Sequence, residues 1–445
     1  MRSIFPIILI CLVSLNVFSQ DSTLIQTSAR KVYSSCVSGD FVTATSYFDQ
    51  ELLYRMDAGK LKQTWELIEG QVGKVKATGE AALYLEISDS LITVFQTCNF
   101  EKKPMDLKLV FNKSNKVAGF FFSPPSARFS YKAPSWVKAG TVKEMDIEIS
   151  SADLRLKGKL TVPLQGTNFP VVILVHGSGP QDMDLSIGPN RVFKDIAIEL
   201  AANGYAVIRY DKRTKAYQSE MAFMLSSMTP DDETVQDVLA AIHFAEGDEY
   251  VDATKIFILG HSFGGMMAPR IATLSKKLNG MILMAANARP LQILIMDQLR
   301  YLAKADSANP AMKESLDLMQ EKVDRVSTKS YDETTDPMFL PMGIGYPYWK
   351  YVDEYDQFKE AIDVKIPMLI LQGERDYQVT MEDFNIWQQK LAKRSDVTFH
   401  SFPMLNHLFM AGSGPSMPAE YEIRSNVAKE VADEISSWLK LQTGN

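Results

Sequence analysis

The stretch Gly260-His261-Ser262-Phe263-Gly264 limits what this chain can fold into more than any other. Lys255-Ile256-Phe257-Ile258-Leu259 before it reads as a short buried strand, and Gly265 to Ala272 after it opens a helical pattern. A chain that passes from strand to helix this abruptly must hold its central residue in a strained backbone conformation. Glycine at 260 and 264 removes the side chains that would collide in such a turn. The turn is expected to lift the Ser262 hydroxyl above the edge of a sheet. It also leaves the next amide, that of Phe263, free to donate to a developing oxyanion. The five-residue pattern alone arises by chance; strand before and helix after are the context it needs.

A serine is a poor nucleophile until a base takes its proton and a third group orients that base. After such a turn the partners are expected in the order serine, acid, histidine. Of the five histidines, His176, His243 and His261 come too early. His400 lies in the alternating run Val397-Thr398-Phe399-His400-Ser401-Phe402, a strand pattern, and is expected to be structural. His407 follows that strand in Pro403-Met404-Leu405-Asn406-His407-Leu408-Phe409, where a loop can carry it to the sheet edge, and is the expected base. The acid should end the preceding strand, Ile366 to Gln372. Asp376 in the loop Gly373-Glu374-Arg375-Asp376 is the better candidate, with Glu374 the alternative. The apolar run Pro170 to Val175 reads as a strand buried on both faces. It empties into His176-Gly177-Ser178-Gly179-Pro180, and the backbone amide of Ser178 is the expected second oxyanion donor.

HGSGPQDMD at 176–184, RYDKRT at 209–214, GHSFGGMMAPRIA at 260–272, LQGERDYQVT at 371–380 and NHLF at 406–409 together resemble the α/β-hydrolase superfamily. The resemblance is to the bacterial exported esterase and serine-aminopeptidase-like branch, and it extends over most of residues 140–440. It implies hydrolysis of carboxylic esters through an acyl-enzyme, with Ser262, Asp376 and His407 as the triad. In relatives similar to dienelactone hydrolase the nucleophile is Cys; Ser here favours the esterase side.

The N-terminus has a different character. Met1-Arg2-Ser3, an apolar stretch from Ile4 to Val17 and Phe18-Ser19-Gln20-Asp21 form the pattern of a secretory signal peptide over residues 1–19. The stretch is shorter than the ~20 apolar residues of a spanning helix. The expected product is therefore exported, periplasmic or secreted, with no stable membrane span. A net charge of −7 and the absence of a basic run give no support to a nucleic-acid partner, and none is expected. Removal of the signal leaves Cys36 and Cys98, for which a disulfide and two buried thiols are equally open. No Cys/His cluster has metal-ligand spacing, and no cofactor is expected.

A length of 445 residues implies two domains. Residues 22 to about 70 read as helical, followed by strand-like runs at 81–87, 91–95, 107–111 and 117–122. Helices then an antiparallel sheet make an α+β domain over 20–130 that resembles the NTF2-like group in layout, ended by the linker Ser123-Pro124-Pro125-Ser126. This domain is not expected to supply catalytic groups. Residues 131–445 are expected to form the α/β-hydrolase fold. Its eight strands lie near 143–149, 154–162, 170–175, 205–209, 255–259, 280–284, 366–371 and 397–402, in a mostly parallel sheet with helices on both faces. The helices are expected over 191–202, 232–246, 382–393 and 420–441, and a cap at about 286–364. Met and aromatic residues in the cap suit an apolar pocket, whereas Met221, Met224 and Met228 are expected to be core. Asp211, Lys212 and Arg213 read equally as structural ion pairs or substrate contacts. The expected substrate is a small-molecule ester of small to medium acyl chain. The rivals are a serine aminopeptidase, which needs a fixed anion for the substrate ammonium, and a non-catalytic envelope-binding protein.

Overall fold

The computed structural model describes residues 15–76, 83–87, 92–123, 131–305 and 310–444. Most of the expected signal segment, the Pro124-Pro125 linker and residues 81, 82 and 91 lie outside this range. The chain forms two units, Met1–Phe129 and Ser130–Asn445.

In the first unit the helical run is divided into α1 (Leu15–Ser38), α2 (Phe41–Thr45), α3 (Gln50–Arg55) and α4 (Ala58–Val72). The breaks fall at aspartates. Asp40, Asp49 and Asp57 each turn a carboxylate back onto a backbone amide of the next helix, those of Thr43, Leu52 and Lys60. Side-chain capping of this kind satisfies amides that have no partner within the helix. Strands β1 (Leu83–Ile87), β2 (Ile92–Asn99), β3 (Pro104–Phe111) and β4 (Val117–Ser123) pair in chain order, all antiparallel. Ile25, Ala29, Val32 and Cys36 recur at helical spacing along α1 and bury against Leu61 and Trp65 of α4 and Leu107, Leu109 and Phe111 of β3. Cys36 and Cys98 are both buried and are not joined in a disulfide. Burial pushes the Cys36 thiol up to about 12.

The second unit is built on strands β5 (Val142–Ser151), β6 (Leu154–Pro163), β7 (Phe169–Val175), β8 (Ser186–Ile187), β9 (Asn190–Arg191), β10 (Ala206–Tyr210), β11 (Val251–His261), β12 (Leu278–Met284), β13 (Met368–Gly373) and β14 (Val397–Phe402). Eight of them form one sheet in the order β14-β13-β12-β11-β7-β10-β6-β5, with β8 and β9 a separate two-stranded ladder. Pairing is parallel from β14 to β10 and antiparallel for β6 and β5. The central strand shows why no polar residue is tolerated there. Val171, Ile173 and Val175 enter one core, Val172 and Leu174 the other, on opposite faces of the sheet. Around the sheet lie α5 (Val192–Ala202), α6 (Arg213–Ala216), α7 (Gln218–Met224), α8 (Gln236–Glu246), α9 (Phe263–Leu274), α10 (Leu291–Ala305), α11 (Pro310–Ser327), α12 (Tyr346–Glu354), α13 (Gln357–Asp363), α14 (Met381–Leu391) and α15 (Lys429–Thr443). Helices α10 to α13 occupy the long interval between β12 and β13.

Two helix expectations are corrected. The helix expected from 232 opens with a π-helical turn, Asp231–Val235, before α8 begins. The final helix starts at Lys429 rather than 420, because the preceding backbone is used by other elements. The amide of Ser425 donates to Asn190 (2.8 Å), that of Val427 to Asp195 (2.9 Å), and Glu420 pairs with Arg375.

One face of α5 buries two carboxylates. Asp195 accepts from the Tyr131 hydroxyl (2.9 Å), and Glu199 accepts from the Trp136 indole (2.9 Å) through Oε2. Glu199 Oε1 has no partner among the described residues. Burial pushes the Glu199 carboxyl up to about 8 and that of Asp195 up to about 6. The fold thus holds a Glu199 proton that the unfolded chain releases near the ordinary value of 4.5. Stability from this group is complete below that value and is lost as pH rises through about 8. Glu199→Gln is expected to flatten this slope and raise the melting temperature at pH 8.5 while changing little at pH 4.5. Thermal unfolding at the two pH values checks it, and an unchanged slope would contradict the assignment.

Candidate active site

The parallel strands deliver their carboxyl ends to one edge of the sheet, where loops from β7, β11, β13 and β14 converge. At the end of β11, Ser262 has φ 56° and ψ −121°, and α9 starts at the next residue. A non-glycine residue held at positive φ is strained. The strain is stabilised by the Ser262 amide donating to the Met284 carbonyl of β12 (2.8 Å) and by the Ser262 carbonyl accepting from Gly265 and Met266. A Cβ at Gly264 would collide with the carbonyls of Val175 and His176, so β7 could not pack against the turn.

His407 lies in the loop after β14 and is buried. Its Nδ1–H donates to Asp376 Oδ2 at 2.6 Å. Asp376, buried in the loop after β13, receives three further donors: the amides of Gln378 (2.7 Å) and Val379 (3.0 Å) on Oδ1, and Gln372 Nε2 (3.3 Å) on Oδ2. The carboxylate is therefore fixed before it orients the imidazole. Glu374 instead accepts from Ser401 (2.8 Å) on the exposed side. His400, on β14, faces Glu434 of α15 (3.3 Å). His261, next to Ser262 in the chain, reaches the His407 loop. Its ring Nε2–H donates to the His407 carbonyl (2.8 Å), and the two rings are 4.6 Å apart. Burial, then the charge of His407, push His261 down to about 3, so its ring stays neutral beside the other imidazole. The His407 loop is shaped by Asn406. Its Oδ1 accepts from Leu408 (3.0 Å) and Met410 (3.2 Å), and its Nδ2 donates to Glu420 (3.1 Å).

The turn after β7 lies directly against Ser262. A Cβ at Gly177 would sit 3.2 Å from Ser262 Cβ, so only glycine allows this approach without a shift. The turn is held by two residues from distant parts of the chain. Lys212 Nζ donates to the Gly177 carbonyl (2.7 Å) and to Glu233 Oε1 (2.6 Å). The Gly179 amide donates to the same Glu233 oxygen (2.9 Å), and the Tyr348 hydroxyl to Oε2 (2.7 Å). Arg213, one residue on from Lys212, pairs with Asp237 (2.6 Å) away from the turn. Lys212 and Arg213 thus form structural ion pairs rather than free surface charges. Sequence reasoning missed Glu233, Gln372 and the role of His261. Glu233 sits in Asp231-Asp232-Glu233, which reads as the solvated start of a helix, and nothing local reveals that the π-turn buries it. Among the described residues no group of three His, Cys, Asp or Glu side chains could hold a metal ion.

Residues 170–412, more than half of the chain, match the family described as Serine aminopeptidase, S33. The chain belongs to this family of hydrolases. Residues 29–120 match a family described as Protein of unknown function (DUF3887). Among curated proteins this S33 member is similar to Esterase EstD from Thermotoga maritima, at 34% identity over 403 residues, 90% of this chain and 92% of the relative. Among solved structures, Est1E from Butyrivibrio proteoclasticus is 14% identical, with 67% of this chain and 99% of that one aligned at a TM-score of 0.43. A puromycin-hydrolyzing peptidase from Mycobacterium tuberculosis is 13% identical, with 83% of this chain and 48% of that one aligned at a TM-score of 0.46.

Against the glycine turn of this S33 member lies a cavity of about 380 Å³. Ser178, Gly179 and Pro180 form one wall. Thr214, Gln218, Met221, Ala222, Leu225 and Met228 form another, and Met342, Ile344 and Tyr348 close it from the interval between β12 and β13. Met221 and Met228, expected to be core, are buried and also line this space; Met224, expected to be core with them, is instead exposed. Among the described wall residues the one carboxylate, Glu233, is buried, has both oxygens occupied and is charge-matched by Lys212.

Proposed function

We propose that this chain is an exported serine esterase acting through an acyl-enzyme, with Ser262 as nucleophile, His407 as base and Asp376 as its orienting acid. The observation that carries the reading is the buried His407–Asp376 pair joined through His261 to a serine at strained positive φ. In this mechanism His407 Nε2 takes the Ser262 proton as Oγ attacks the ester carbonyl. The amides of Phe263 and Ser178 donate to the oxygen that gains charge. His407 then protonates the leaving alcohol, and water repeats the cycle on the acyl-enzyme. Export rests on the signal-like residues 1–19. Among the described residues no helix is long and apolar enough to cross a membrane.

An ester rather than an N-terminal peptide substrate is favoured by the cavity wall. An ammonium group needs an unpaired anion, and Glu233 is fully committed to Lys212, Gly179 and Tyr348. Methionine and leucine side chains instead suit an acyl chain, and the volume is near the lower end of the ~300–1,000 Å³ of small-molecule pockets, which favours small to medium chains. The name of the Thermotoga relative agrees. The test is kcat/KM on nitrophenyl esters of rising acyl length beside aminoacyl nitroanilides, with Ser262→Ala as control. Esters of small to medium chain should be turned over far faster than any anilide. Better turnover of anilides would replace this reading with the peptidase one.

A further inference from the structure

We propose that Lys212 is the positioning residue for the oxyanion donor, holding the Gly177–Ser178 peptide so that the Ser178 amide faces the reacting carbonyl, with Glu233 as its brace. The inference rests on the serine mechanism above and deepens it. Gly177 C=O and Ser178 N–H are the two ends of one planar trans peptide and point in opposite directions. The carbonyl end is bound to the Lys212 ammonium at 2.7 Å. The amide end is thereby turned away from Lys212. The same peptide lies against the nucleophile, since a Cβ at Gly177 would stand 3.2 Å from Ser262 Cβ.

The neighbouring peptides are fixed as well. Gly179 N–H is bound to Glu233 Oε1 (2.9 Å), and the Gly179 carbonyl accepts from Thr214 Oγ1 (3.2 Å). The groups on both sides of the Ser178 amide are thus occupied by fixed partners. Glu233 also restrains the ammonium itself, at 2.6 Å, and both side chains are almost fully buried. A cation on the carbonyl draws charge from the peptide and strengthens its N–H as a donor, an effect that low local polarity enhances. Lys212 is bonded to a carboxylate and a carbonyl and is not among the described residues lining the cavity, so its role is carried through the peptide it holds. The adjacent Arg213–Asp237 pair is equally buried but binds Ser151 and Gln236 rather than the turn. It is the internal control for burial without positioning.

Lys212→Met leaves Glu233 as an uncompensated buried charge and risks unfolding. The decisive variant is therefore Lys212→Met with Glu233→Gln, which leaves no unpaired charge. With nitrophenyl butyrate its kcat is expected to fall on the order of 100-fold, the size of an oxyanion-donor loss, with KM little changed. Affinity for butylboronic acid, which adds to the Ser262 oxygen and puts an anionic oxygen in the same position, should fall in parallel. Inhibition by neutral butanol should not. Arg213→Met with Asp237→Leu should keep the parental kcat. A folded Lys212/Glu233 variant with parental kcat and boronate affinity, while Ser262→Ala is inactive, overturns the role of Lys212 and leaves the serine mechanism standing. Full turnover by Ser262→Ala overturns both. Equal loss of kcat in both double variants would reduce Lys212 to a structural pair.

Discussion

Ser262→Ala and His407→Ala are each expected to lower ester turnover on the order of 10⁴-fold or more, with circular dichroism and melting temperature close to the parent. The size follows from how the three side chains depend on one another. In the proposed mechanism, loss of Oγ leaves no acyl-enzyme, and loss of the imidazole leaves the Ser262 hydroxyl its proton. Asp376→Asn should cost on the order of 10⁴-fold as well, because an amide facing Nδ1 favours the wrong imidazole tautomer. The double variant Ser262→Ala with His407→Ala should be scarcely worse than either single one, since groups that act as a unit do not contribute additively. Steady-state kinetics on nitrophenyl acetate and active-site titration of the acyl-enzyme burst provide the measurement. A folded His407→Ala protein with near-parental activity would sink the assignment. His400 could not then be substituted as base without rearrangement, since it faces Glu434 on β14's outer side.

The second large effect concerns stability. Asp237→Ala is expected to destabilise the hydrolase unit by about 3–5 kcal/mol, the usual consequence of leaving one partner of a buried ion pair uncompensated. Arg213 donates Nε (2.9 Å) and Nη2 (2.6 Å) to one oxygen of Asp237, which also accepts from Ser151 (2.8 Å). Three elements meet at this carboxylate: the end of β5, helix α6 and helix α8. Replacing both partners, as Arg213→Met with Asp237→Leu, should recover most of the loss because no charge remains to be desolvated. Urea unfolding monitored by tryptophan fluorescence gives the comparison. If the single and double variants are equally destabilised, the pair contributes through packing rather than charge.

These two effects differ in how far they could be read from the chain. Ser262 and Asp376 each follow a strand that announces itself by an apolar run, His407 follows one with an alternating pattern, and chain order selects among the few candidates. His400, inside a strand pattern, was separable by the same reasoning, whereas Glu374 stayed the alternative acid until the structure turned it onto Ser401 on the exposed side. Arg213 and Asp237 are 24 positions apart, and no periodicity links them. Lys212 stood beside two other charged residues with nothing local to show that it would be buried. The helix expected from 420 erred for a related reason: its sequence is compatible with helix, but the side chains of Asn190, Asp195 and Arg375 claim its backbone and Glu420.

The sequence by itself determined the strained turn at Ser262, the double-sided burial of β7 and the order in which Ser262, Asp376 and His407 arrive at the sheet edge. Those properties depend on backbone sterics, glycine placement and hydrophobic period, all written within a few residues. Tertiary structure alone decided that Glu233 is buried and bonded to Lys212, Gly179 and Tyr348 rather than solvated at the start of a helix. It also decided that Gly177 touches Ser262 and that the cavity opens against the Ser178 turn. A charge becomes structural when the elements around it exclude water and supply its counter-charge, and those elements come from positions far apart in the chain.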